Sequence, residues 1–73
     1  MHAKPCTLAH LRDVLTDMRT RKWESAITND YHYARGICAG ALIAGVIDLT
    51  ERDRMCALIK NVRQHALEDL KCA

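Results

Sequence analysis

Between Arg19 and Arg35 the chain gathers side chains suited to holding an anion. Arg19, Arg21 and Lys22 stand close together, Trp23 follows, and Tyr31, His32, Tyr33 and Arg35 come soon after. No other Trp, Tyr or Phe occurs in the chain. Guanidinium and ammonium groups beside aromatic faces hold phosphates, nucleotides or single-stranded nucleic acid by charge and stacking. An arginine such as Arg35 can grip a phosphate or carboxylate with two parallel donors, and His32 adds a pH-dependent donor. The candidate ligand or partner pole is therefore Arg19, Arg21, Lys22, Tyr31, His32 and Arg35. The plainer alternative is that Trp23 and one tyrosine close the end of the core while the charges solvate helix ends.

The cysteines invite metal or disulfide chemistry. Cys6 and His10 are spaced to share a helical face, with Cys56 as a third ligand at the same pole and Cys38 further along helix two. A structural zinc site wants four ligands, usually with short paired spacings. Cys6, Cys38, Cys56 and Cys72 contain no CxxC pair, so no metal or other cofactor is expected. No apolar signal-peptide core appears near the N-terminus, so a reducing, cytoplasmic setting with free thiols is expected. In that setting Cys38 and Cys56 serve as core or interface residues, and Cys72 is exposed. Catalysis would need a nucleophile, a base and an orienting group within reach. No nucleophile elbow, phosphate-binding glycine loop or HExxH helix accompanies the cysteines and histidines, so the expectation is not an enzyme.

These residues must be positioned by helices. Of 73 residues, 49% are hydrophobic and 27% charged, with one proline, which suits a single globular all-α domain over residues 1–73. Leu8, Leu11, Leu15 and Met18, with Val14 alongside, recur at helical spacing and predict a helix over about 7–22. Thr7 is its expected N-cap, and residues 1–6 read as a loose lead-in. A second helix, about 25–45, starts either just after Trp23 or near Asp30. A third, about 51–71, carries Met55, Leu58, Ile59, Val62, Ala66, Leu67 and Leu70 at clean helical spacing, with Thr50 as its expected N-cap. Short connections make an up-down-up three-helix bundle. Its second pole collects the end of helix one, the start of helix two and the end of helix three. Asp48, Glu51, Arg52, Asp53 and Arg54 crowd the last turn, as helix caps or as the polar rim of an interface.

Helix two ends in a run with no polar side chain, GICAGALIAGVI over residues 36–47. It is too short to span a bilayer, which needs about 20 residues, so no membrane partner is expected. A bundle this small has little material to cover an all-apolar helix on every side. Cores of this size rarely supply more than about 3–5 kcal/mol, so an interface with a second copy is expected. Gly36 and Gly40 are costly inside a helix unless another helix approaches them closely. Gly36, Ile37, Gly40, Ala41 and Ala44 are the expected homodimer interface.

The phrase AGVIDLTERDRMCALIKNV, residues 44–62, is similar to a plain helix-turn-helix hairpin. The look is similar to small accessory proteins of bacteria, phages and prophages, which often bind and modulate a larger host protein. The resemblance carries no functional residue over. A DNA-reading version would want a basic and amide-rich recognition helix. Helix three offers Arg52, Arg54, Lys60, Asn61, Arg63 and Gln64, but mixes them with Glu51, Asp53, Glu68 and Asp69. The net charge of +2 does not by itself mark a nucleic-acid binder. The expected function is a small non-enzymatic adaptor, regulator or inhibitor that binds a larger protein through helical surfaces. The alternative is a nucleic-acid or phosphate-ligand binder using the basic and aromatic pole.

Overall fold

The computed structural model describes residues 3–72 as three helices. They are α1 (Ala3–Thr20), α2 (Glu24–Ile43) and α3 (Leu49–Cys72). All three pairs of helices touch. Lys4 pairs with Glu51, joining the starts of α1 and α3, and Arg19 pairs with Asp69 near their ends. α2 returns between them, giving the up-down-up bundle expected from the short connections. The long dimension of 42 Å is largely α3, whose 24 residues make about 36 Å of helix.

Helix boundaries differ from the expectation where capping chemistry differs. α1 begins by Ala3, so Thr7 lies inside it and is not an N-cap. Pro5 is tolerated there because first-turn amides lack intrahelical partners. α2 starts immediately after Trp23, which sits in extended conformation at φ −130° and ψ 136° and offers no side-chain cap. At its other end, Gly45 takes φ +75°. The Gly45 amide donates to the Leu42 carbonyl at 3.1 Å and the Val46 amide to the Ala41 carbonyl at 2.9 Å. This is a Schellman stop, and it needs a left-handed residue where glycine has no steric cost.

The N-cap of α3 is Asp48, not Thr50. The Glu51 amide donates to Asp48 Oδ1 at 2.7 Å, and the Asp48 amide donates to Glu51 Oε1 at 3.2 Å. This reciprocal box satisfies two orphan amides, an outcome that Thr50 with Asp53 could not improve.

The core follows a seam on each helix. α2 buries Ile27, Tyr31, Ala34, Cys38 and Ala41, an alternation of four and three residues. Facing it are Leu11, Val14, Leu15 and Met18 of α1 and Met55, Ile59 and Ala66 of α3, with Ile47 of the turn beneath. The small Ala34 and Cys38 let the neighbouring helices approach α2, while Met18 and Ile59 fill the space between. Leu8 and Leu58, which share the periodicity, are 43% and 49% exposed and stand outside this core.

Candidate functional site

The fold pairs two cations of the predicted pole with carboxylates and gathers His32 and Arg35 around the Tyr31 ring. Arg19 Nη2 lies 2.8 Å from Asp69 Oδ2. Arg21 grips Asp30 with Nε at 2.7 Å and Nη2 at 3.4 Å. That hydrogen bond, and then the Asp30 charge, push the Arg21 guanidinium above the usual arginine range. Lys22 and His32 are exposed. Trp23 is 74% exposed and does not close the core, a role that falls to Tyr31 at 6%. Trp23 falls in the tight α1–α2 connection, where its extended backbone precedes α2. Tyr33 leaves the pole and meets His10 of α1, with 3.1 Å between Oη and Nε2 and ring centroids 5.5 Å apart.

Tyr31 is the centre of what remains. The Arg63 guanidinium lies 4.2 Å over its ring, and that of Arg35 is 5.7 Å from the same centroid. Arg35 Nη1 approaches the phenol oxygen at 3.5 Å. His32 packs edge-on against the ring at 5.5 Å. Arg63 would extend the positive pole only by facing outward, but it is half-buried and folds over the Tyr31 ring. The available signal was its register: Arg63 follows Val62 on the seam of α3, at the edge where a long side chain must fold across α2.

A second feature was not read from the sequence. Between α1 and α3 runs a groove of about 310 Å³, walled by Leu8, Leu11, Leu15, Met55, Leu58 and Val62. Arg12, Thr16 and Arg19 edge it, and among the described residues no carboxylate lines it. The signal was the apolar face of α1, where Leu8 extends the row of Leu11, Val14, Leu15 and Met18 that α2 and α3 bury.

The apolar run of α2 divides. Ala41 belongs to the chain's own core, and Ile37 is half-buried. Gly36, Gly40 and Ala44 are exposed, and a Cβ added at either glycine would meet nothing within 4 Å. No helix of the same chain therefore makes the close approach expected at these glycines. Ile43, beside them, is 87% exposed.

All four cysteines are free. Among the described residues, no three His, Cys, Asp or Glu side chains come together as a metal site. The Cys38 thiol points at Met55 Sδ, 3.8 Å away. Burial, and then the neighbouring Cys56, push that thiol above its ordinary range. Among the described residues no helix is long and apolar enough to cross a membrane.

No protein-family model, curated protein or solved structure matches the chain.

Proposed function

We propose that the chain is a small non-enzymatic adaptor, regulator or inhibitor. It takes an amphipathic helix of a partner protein into the groove between α1 and α3. The observation that supports this reading is the lining of that groove: six apolar side chains, edged by two arginines and a threonine. α1 and α3 run parallel there, so a helix laid between them buries its apolar face on Leu8 and Leu58. From Leu8 to Arg19 the groove spans about 16 Å, or three helical turns of the occupant.

Charge selects the occupant. A partner helix with carboxylates flanking its apolar stripe meets Arg12 and Arg19 across the groove. Arg12 is poorly held by its own chain, 3.9 Å from an exposed Asp13, and a pair of that kind contributes little. Arg19 would share its second face while bonded to Asp69. Two copies joined groove to groove would instead set arginine against arginine, because a twofold contact presents the same patch from both sides.

The test is capture of partners from a lysate of the producing cells, with wild type and with Leu8→Glu and Leu58→Glu, at low and high salt. Both leucines are near half exposed, so either variant should fold with little change in melting temperature. The expected result is a protein partner retained at high salt and lost with each variant. Capture unaffected by both substitutions would overturn the groove. Captured nucleic acid that is released by salt would point to the alternative reading.

A further inference from the structure

We propose that Arg35 and Arg63, converging on Tyr31, form a binding site for a phosphate group. The site lies on the α2 side of α3, so its failure would leave the α1/α3 groove untouched.

The first argument is the distribution of countercharge. Arg12, Arg19, Arg21 and Arg52 each have a carboxylate within 4.0 Å: Asp13, Asp69, Asp30 and Asp53. Among the described residues Arg54 has none, and neither do Arg35 and Arg63. Yet these two are drawn to a single neutral ring, at 5.7 and 4.2 Å from its centroid. Two guanidiniums gathered at one ring repel, and no carboxylate of the described residues pairs with either to offset this. A bound dianion would.

The second argument is unspent donors. The Arg63 guanidinium carbon lies 4.2 Å over the Tyr31 ring centroid. Arg63 Nε is buried with no hydrogen-bond partner. Arg35 spends one donor, weakly, on the phenol oxygen at 3.5 Å. Guanidinium N–H groups form their strongest bonds with phosphate and carboxylate oxygens.

The third argument is rigidity and surroundings. Tyr31 is fixed in the core, so it holds both guanidiniums on the facing helices α2 and α3. On the α3 side of Arg63, not lined by Tyr31 or Arg35, is a hollow of about 450 Å³ that also takes Lys60 and Lys71. The carboxylate in that hollow, Glu68, is engaged by Gln64 Nε2 at 3.3 Å and lies 3.8 Å from His65. Donors arriving from two helices suit a tetrahedral dianion better than a flat carboxylate, which one arginine can saturate. The phosphate can be free or carried on a nucleotide, and the chemistry of the two guanidiniums is the same.

The experiment follows the arginine Nε–Hε resonances of the labelled, full-length chain by NMR at constant ionic strength. One arm titrates inorganic phosphate and the other adenosine monophosphate. The expected result is saturable shifts at Arg35 and Arg63, with Arg12 and Arg52 unmoved. Arg35→Lys and Arg63→Lys should each raise the phosphate Kd about tenfold, because lysine keeps the charge but loses the fork. Arg35 is exposed, so Arg35→Lys should leave the melting temperature unchanged and keeps the test valid if Arg63→Lys folds poorly. Equal Kd values in the two arms indicate that phosphate alone is recognised. A lower Kd for the nucleotide, through the same arginines, indicates that its base adds contacts. Shifts that are linear and alike at every arginine, or a Kd unchanged by Arg35→Lys, would overturn the site.

Discussion

The thiol of Cys38 is buried against the Met55 sulfur, while Cys6 and Cys72 face solvent and Cys56 lies between these extremes. Only the thiolate is nucleophilic, and burial raises the Cys38 pKa further from neutrality. Brief treatment with iodoacetamide near neutral pH should therefore modify Cys6 and Cys72 first and Cys38 last, read by mass spectrometry of the digested chain. Early modification of Cys38 in the folded chain would contradict its burial. The arginines make the complementary point. Arg19 and Arg21 look alike to Arg35 in sequence, but carboxylates from other helices or turns occupy the first two. Asp30 and Asp69 were visible in the sequence, and only the packing of helix ends assigns them to those partners.

At the scale of the helices, the three glycines separate into two roles. Gly45 ends α2 with a positive φ, so Gly45→Ala should destabilise the fold by roughly 1–2 kcal/mol. Gly40 is helical and its Cβ position is open, so Gly40→Ala should stabilise the isolated chain by about 0.5–1 kcal/mol. Urea unfolding of the two variants checks both signs. The start of α3 carries a pH dependence. Glu51 is held below the usual carboxylate range by its hydrogen bond to Lys4 first and the Asp48 amide second. A lowered folded pKa means the contribution is complete above the unfolded value, near 4.3, and is lost as pH falls through the folded value. Melting temperatures of wild type should fall on acidification below about pH 4, more steeply than those of Glu51→Gln. Equal slopes would remove Glu51 from the account.

For the whole molecule, the open question of surface is how copies or partners cover what the bundle leaves bare. The exposed side of α2 carries Gly36, Gly40, Ile43 and Ala44, mostly small residues over which a second α2 could pack closely. We expect the chain to self-associate there, as the polar-free run suggests. Light scattering at micromolar concentration should give a dimer for wild type and a monomer for Gly40→Leu. A well-folded wild-type monomer would overturn this expectation. The outcome also bears on glycine energetics: if Gly40→Ala stabilises the monomer yet weakens association, the glycine is kept for contact.

Helix number, helix type and order of packing were determined by the sequence itself, because periodicity and short connections are local properties. The end of α2 near Gly45 was legible for the same reason, but its seam was not: the polar-free run does not mark a buried side, and Ala41 and Tyr31, expected at an interface and a pole, lie in the core. Helix starts were less so: Asp48 and Thr50 are both good caps, and only the reciprocal bond with Glu51 chooses between them. The candidate sites lay further out of reach. Leu8 and Leu58 have the spacing of core residues, and their exposure depends on how far apart α1 and α3 stand. Arg63 joins Arg35 only because antiparallel packing brings distant stretches of chain to one ring. Such contacts are set by the relative rotation of whole helices, a tertiary quantity that no single helix encodes.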